Sequence, residues 1–391
     1  MDTQLRLGII GIAGRGRMHM FWHKPNGRSI VAGAADIRQE NLDEFKHDVN
    51  KDAFVTLDYH ELLARKDIDA IAVCSPDNFH EEQAIAALEA GKPVYCEKPM
   101  AVTIDGCDNM IRAAHRTGQK LMIGHNMRYA PYARKLHELV HQGVIGDVKA
   151  VWVRHFVGRG SLYYYHDWHA DKRNTTSLLL QKGCHDIDTI HYVTGHYTKR
   201  LAAFGSLDFF GGHESNQKQC RACERQDTCK EYIDMSGMRH KRYHDYCVFR
   251  DEVNVPDNYV CILELDNGIK ASYTECHFTP DYHRNFTFIG TEGRIENSEP
   301  HQKVWLWKRE NASHDDPDAE FDLTVGIDKD GELGHGGADQ FLCREFVDMV
   351  LDGREPIVPL AAGRNAVAVG CLAQKSLEKG GGVYEVPPIK G

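Results

Sequence analysis

The segment "LRLGIIGIAGRGRMHM", residues 5–20, decides the fold. Leu5 to Ile10 form an apolar run of strand type. Gly11, Gly14 and Gly16 follow in a G-x-x-G-x-G spacing, a variant of G-x-G-x-x-G, and a helical stretch comes next. A tight strand-to-helix turn needs glycine because its backbone takes positive φ and because a pyrophosphate must approach the main chain closely. Free N–H groups at the start of the following helix then face the phosphates. A second strand, "SIVAGAAD", ends on Asp36, 22 residues after Gly14, where a dinucleotide-binding turn places an acid on the ribose hydroxyls. Gly11, Ile12, Ala13, Gly14, Arg15 and Gly16, with Asp36, Ile37 and Arg38, are therefore predicted to hold a dinucleotide. Asp36 repels a 2′-phosphate and favours NAD over NADP, a preference that Arg38 softens.

The α/β rhythm continues outward from this turn. "DYHELLARKDID" reads as a helix, "AIAVCSP" as a buried strand and "HEEQAIAALEAG" as a helix stopped by Gly91. "PVYCEKP" is the next strand, "AVTIDGCDNMIRAAHRTG" a helix, and "KLMIGHNMRYAP" a strand leaving the domain. Strands alternating with helices of this length predict a parallel, doubly wound sheet. Ligands of such sheets sit beyond the C-terminal ends of the strands. Cys74, Ser75, Pro76 and Asn78, then His80, Glu97 and Lys98, then Asn126 fall at or beside such ends and are predicted to line one crevice with the glycine turn.

The chain has 391 residues, which suggests two domains. Its net charge is −10 with scattered signs, so a nucleic-acid partner is not expected. No apolar window reaches membrane-spanning length, and glycines interrupt the short N-terminal apolar run, so neither a membrane span nor a signal peptide is expected. Eight of the 12 cysteines are scattered in apolar or site-like contexts, which fits a reducing cytoplasmic setting.

Several motifs, "GIIGIAGRG", "CSPDNFHEEQAIAALEAGKPVYCEKPMA", "GHNMRYAP", "GVIGDVKAV", "GCHDID" and "FIGTEGRIE", run in order over nearly the whole chain. By them the sequence resembles the glucose–fructose oxidoreductase / inositol dehydrogenase (Gfo/Idh/MocA) family. The resemblance implies an N-terminal Rossmann domain, placed at residues 1–125, and a C-terminal α/β domain, placed at 126–391, built on a large open, mostly antiparallel sheet. It also implies a homodimer or homotetramer formed through the outer face of that sheet. The residues agree: "VKAVWVRHFVG", "YVCILELDNGIKASYTECHF" and "RNFTFIGTEGRIEN" are β-branched and aromatic runs, and Asn267-Gly268 is a hairpin turn.

Oxidation of a carbinol needs a group that takes the hydroxyl proton near neutral pH. A partly desolvated lysine beside a positive nicotinamide has a lowered pKa and serves as that base. Lys98 stands at the position of the family's catalytic lysine. Glu97 orients its neighbourhood or binds the ribose side, and Pro99 fixes the loop, with a cis Lys-Pro bond as one form. Many family members carry Asp-x-x-x-His in the segment "LLLQKGCHDIDTIHYVTG"; this chain keeps His185 but has Gln181 in place of the acid. Glutamine does not ionise, so an Asp–His relay is not expected here, and Asp186 or Asp188 is left to orient the imidazole. Lys182 adds a second cation suited to an anionic or heavily hydroxylated substrate, or is a solvated surface lysine.

Upstream, "SLYYYHDWHADKRNTT" is dense in aromatic and imidazole side chains that match the apolar faces and hydroxyl edges of a sugar. Tyr165, Trp168 and His169, with Arg128, Tyr129, Gln181, Lys182 and His335 of "GHGGAD", complete the predicted substrate set. Cys220, Cys223, Cys229 and Cys247 cluster in a charged insertion of about residues 213–250 with little apolar content. That arrangement suggests a structural zinc, with His240 or His244 able to replace one thiol, or else free thiols or a redox pair.

The expected activity is hydride transfer between a sugar, sugar-derivative or cyclitol hydroxyl and NAD. The alternative is an NAD-dependent glycoside hydrolase or lyase that oxidises, eliminates and returns the hydride with no net redox change.

Overall fold

The computed structural model describes residues 4–234, 245–310, 316–324 and 335–390. The chain divides into two compact units, Met1–Pro131 with Ile327–Val367 and Pro388–Gly391, and Tyr132–Gly326 with Ala368–Pro387. No helix among the described residues is long and apolar enough to cross a membrane.

The first unit is built on β1 (Leu5–Ile10), β2 (Ser29–Ala35), β3 (Phe54–Thr56), β4 (Ala70–Val73), β5 (Val94–Cys96) and β6 (Leu121–Ile123). Their order is β3-β2-β1-β4-β5-β6 and every pair is parallel. This is the doubly wound Rossmann arrangement, with its switch point between β1 and β4. All four residues of β4 are buried, as a strand covered on both faces requires. In the helix Ile104–Thr117 of this unit, Thr103 caps the start by accepting from the Gly106 N–H at 3.0 Å, and Gly118 ends it in the left-handed conformation.

The glycine turn is tighter than the sequence suggested. The stretch after it is a 3-10 turn, Gly14–Met18, followed by one α-helical turn, His19–Trp22. A Cβ on Gly11 would lie 2.8 Å from the Ser75 backbone, and one on Gly16 would lie 2.0 Å from the Gly11 carbonyl oxygen. Both contacts are with main chain, which has little freedom to yield. The helix Ala338–Asp352 belongs to this unit as well. Trp22, Tyr95 and Phe346 meet edge to face with ring centroids 5.1, 5.8 and 6.2 Å apart, and the Trp22 indole donates to the Cys343 carbonyl at 3.1 Å.

The second unit carries β7 (Val148–Phe156), β8 (Thr198–Ser206), β9 (Asn258–Leu265), β10 (Lys270–Cys276), β11 (His283–Gly290), β12 (Gly293–Ser298), β13 (Lys303–Lys308), β14 (Ala319–Asp322) and β15 (Tyr384–Glu385). They form one sheet in the order β14-β13-β12-β11-β7-β10-β9-β8-β15. Only the β7–β10 pair is parallel. Gly268, at φ 85°, makes the β9–β10 hairpin turn.

Residues across the buried face of the central strands fall in rows. Leu263, Ala271, Val151 and Phe288 form one row, and Cys261, Tyr273, Val153 and Phe286 the next. The third row is Tyr259, Glu275, His155 and Arg284, all buried. The buried face thus turns from apolar to ionisable at one end. Its opposite face exposes Trp152, Phe204, Val260 and Ile262.

Replacement of Gly16 by Ala is expected to destabilise the protein by ~1–3 kcal/mol, because the added methyl overlaps a carbonyl that cannot move aside. The denaturant midpoint of the purified variant measures this. A midpoint equal to that of the parent would show that the turn has room to relax.

Candidate active site

In the first unit the strand ends converge as the topology requires. The Asp36 carboxylate accepts from the Ile12 N–H at 3.1 Å, the Arg38 N–H at 3.0 Å and the Asn41 amide at 2.9 Å. It therefore ties the glycine turn to the end of β2, while the Ile37 side chain stands in solvent. Cys74, Ser75, Pro76 and Asn78 occupy the loop after β4, where Ser75 donates to Gln83 at 2.6 Å and burial pushes the Cys74 thiol up. His80 is fully buried, with one ring nitrogen 2.7 Å from the Pro99 carbonyl oxygen and the other 2.9 Å from that of Ser75. It bridges the loops after β4 and β5. The Lys98–Pro99 bond is cis.

Glu97, next to Lys98, is buried. Its carboxylate accepts from the Tyr95 hydroxyl at 2.8 Å, from Arg15 Nε at 2.9 Å and from the Lys98 N–H at 3.2 Å. The other side of the Arg15 guanidinium grips Asp339 in a fork, at 2.9 and 3.0 Å. Asp339 also accepts from Asn126 at 2.7 Å and lies 3.1 Å from His335 Nδ1. Burial acts to raise the Asp339 carboxyl, but His335 and Arg15 overcome it and hold the group well below the usual carboxylate range. Burial likewise opposes the charge on Arg15, and Glu97 and Asp339 more than restore it.

Sequence reasoning quoted Asp339 within "GHGGAD" but gave it no role. A lone acid at a helix start looks like an ordinary N-terminal charge, and its partner lies 324 residues away. Arg128 and Tyr129 are both buried; Arg128 donates to the Ile357 carbonyl at 3.2 Å and Tyr129 to Glu345.

In the second unit the helix Cys184–Thr194 places His185 and Asp186 in its first turn, and Gln181 ends the short helix before it. His185, Asp186 and Gln181 are all buried. Asp186 does not orient His185. Its Oδ2 lies 2.7 Å from His155 Nδ1 and 2.8 Å from the Tyr273 hydroxyl, and its Oδ1 lies 3.1 Å from Arg284 Nε. The Tyr273 hydroxyl is also 2.5 Å from Glu275, which is 2.5 Å from His277 Nε2. Burial would raise the Asp186 carboxyl, but Arg284 and His155 bring it to about 2. Burial drives His155 down to about 4.

Sequence reasoning did not single out His155, Tyr273, Glu275 or Arg284 for the site. The available signal was an ionisable residue at an inward position of an alternating strand.

Of the predicted substrate residues in this unit, Trp168 stacks on His169 with centroids 3.7 Å apart, and His169 Nδ1 is 2.5 Å from Asp167. Lys182 Nζ lies 5.9 Å from the ring centres of both Tyr164 and Tyr282. Tyr165 is a core residue: fully buried, stacked on Phe210 at 4.0 Å, its hydroxyl donated to the Pro256 carbonyl at 2.9 Å.

The zinc expectation is corrected. Among the described residues no group of three or more His, Cys, Asp or Glu side chains could hold a metal ion, and Cys220, Cys223, Cys229 and Cys247 are free. In the same segment Arg221 grips the buried Asp245 at 2.6 and 2.8 Å, and Glu214 pairs with Lys218 and Arg225. His240 and His244 lie outside the described residues.

His155 in the second unit and His19 in the first are both held near 4 by burial, against 6.5 for the free side chain. The unfolded chain therefore binds more protons than the native one between these values, and stability falls as pH drops from about 6.5 to about 4. A further fall is expected below about 4 as Asp186 and Asp339 take protons. Urea midpoints across pH 3–8 check this, and His155→Gln should flatten the upper window; an unchanged slope in that variant would contradict the assignment.

The chain matches "Oxidoreductase family, NAD-binding Rossmann fold" over residues 5–125 and "Oxidoreductase family, C-terminal alpha/beta domain" over residues 137–386. The YteT protein of Bacillus subtilis (strain 168) is 25% identical over 347 residues, which is 80% of this chain and 80% of that protein. The myo-inositol 2-dehydrogenase of Thermotoga maritima is 30% identical over 203 residues, 52% of this chain and 59% of that enzyme's length. The crystal structure of an oxidoreductase domain protein from Kribbella flavida has the same fold, with a TM-score of 0.78 at 21% identity over 99% of this chain and 100% of that one. With both of its domains matched over most of its length, the chain belongs to the Gfo/Idh/MocA family of oxidoreductases.

Proposed function

We propose that the protein is an NAD-dependent dehydrogenase of a sugar, sugar derivative or cyclitol. In this reading residues 1–125 hold the cofactor, and residues 126–391 hold the substrate and form the oligomer. The observation that carries it is the shared strand-end location, in one unit, of the glycine turn, Asp36 and the Glu97–Lys98 loop. The myo-inositol 2-dehydrogenase among the relatives supports the substrate class.

The residues present fit the dinucleotide. Gly14 has φ 50° and no heavy atom within 4 Å of the place a Cβ would take, so the turn leaves room for a diphosphate. The backbone from Gly11 to Gly16 would hold that group, and Asp36 would hold the ribose hydroxyls. When bound, NAD supplies the ring that exchanges the hydride.

Lys98 takes the proton of the substrate hydroxyl. Glu97 cannot easily compete for it, because Tyr95, Arg15 and the Lys98 N–H already claim its carboxylate. It positions the loop that carries Lys98. His185 is the second proton-handling group, with Gln181 beside it as a neutral hydrogen-bonding contact. Trp168, His169 and Lys182 take the ring of the substrate. The exposed Trp152, Phe204, Val260 and Ile262 support pairing of two copies through that sheet face.

The test is a panel of inositols, aldoses and sugar derivatives assayed by NADH absorbance. Lys98→Ala is expected to lower kcat by ~10²-fold or more while NAD binding by calorimetry is kept. Retained turnover in that variant, or no NADH from any panel member with NAD bound, would reject the reading. Ile262→Lys is expected to shift the light-scattering mass toward the monomer, and an unchanged mass would remove that face from the assembly.

A further inference from the structure

Ionisable side chains are unusual in the interior of a sheet, and each must find a partner or a reason. The third row of the second unit has both. Asp186 accepts from His155 and Tyr273 and pairs by charge with Arg284, whose Nε at 3.1 Å makes no hydrogen bond, so polar atoms of the row remain unmatched. His155 Nε2, Arg284 Nη2 and the Tyr132 hydroxyl are buried without a hydrogen-bond partner. They share one neighbourhood. Arg284 is the cross-strand partner of His155, and Tyr132 stacks at 5.7 Å on Phe286, the next residue of β11 on the same face. Leaving such atoms dry costs ~1–3 kcal/mol each, so three together imply an occupant.

The hydrogen-bond roles define that occupant. A carboxylate only accepts, so Asp186 requires His155 to carry its proton on Nδ1 and leaves Nε2 as a bare acceptor. Arg284 Nη2 only donates, and the Tyr132 hydroxyl does either. A hydroxyl group also does both. An anionic group would meet the carboxylates of Asp186 and Glu275, which flank His155 from the helix and from β10.

We propose that His155 Nε2, Arg284 Nη2 and the Tyr132 hydroxyl form a hydroxyl-binding subsite for a neutral polyol, and that Asp186, braced by Tyr273 and Glu275, is the positioning residue that fixes the His155 tautomer. The ligand class rests on the dehydrogenase reading above, whereas the tautomer does not.

The test uses the full-length protein with NAD bound and histidines labelled with nitrogen-15. The His155 signals are identified by their loss in His155→Gln. The expected result is an Nδ1-protonated ring whose Nε2 resonance moves when myo-inositol or another turned-over polyol is added, and does not move with glucuronate. Asp186→Asn should lose the single tautomer and raise KM for the polyol about tenfold with NAD affinity unchanged. Should that variant fail to fold, the parent tautomer and a tenfold KM rise in His155→Gln carry the test. A proton on Nε2 overturns the proposal whatever the substrate. A polyol that is oxidised without moving Nε2 also overturns it, showing water as the occupant, and leaves the dehydrogenase reading intact. Absence of any polyol turnover rejects that reading instead, together with the ligand class.

Discussion

The Arg15 guanidinium is held between two buried carboxylates, and the first unit is organised around that grip. One carboxylate, Glu97, directly follows β5; the other, Asp339, lies in the first turn of the helix Ala338–Asp352; Arg15 itself sits inside the glycine turn. Taking charge out of water is costly unless partners replace the lost hydration, so each group fixes the others. Asn126, after β6, joins through Asp339. Four strand-end or helix-end segments are thereby locked by one set of charge-assisted contacts, and the Lys98 loop is carried with them.

The second unit solves the same problem at the end of a different sheet. Two mainly apolar rows, the second with the Tyr273 hydroxyl at its edge, line the buried face, and the third row brings Glu275, His155 and Arg284 side by side. Asp186 reaches them from the first turn of a helix and contacts residues of β7, β10 and β11 at once. A helix whose neighbour His185 is a candidate proton carrier is thus anchored by polar contacts. Hydrogen bonds restrict direction as well as distance, which an apolar contact does not.

Much of this was legible in local sequence. Leu5 to Ile10 and the glycine spacing announced the strand and its turn, Gly91 marked the stop of a helix, and Asn267-Gly268 marked the hairpin. The charged row was not read, although "VWVRHF" alternates Val151, Val153 and His155 inward, and "KASYTEC" alternates Ala271, Tyr273 and Glu275. Those side chains were passed over because an ionisable residue in a strand is usually placed on the wet face. The cysteine spacing fits a metal, but no group able to hold one is found among the described residues, because spacing alone does not fix where the thiols point.

By itself the sequence determined the alternation of strands and helices, the parallel character of the first unit's sheet, the glycine turn and the place of Lys98 at a strand end. These depend on periodicity, backbone freedom and turn chemistry, all of which act over a few residues. Only the tertiary structure decided which carboxylate meets which cation. Asp186 finds His155 across 31 positions and Arg15 finds Asp339 across 324, and neither spacing has a local signature. Such pairs form because folding brings these side chains within hydrogen-bond reach in a dry environment, where an unpaired charge could not remain.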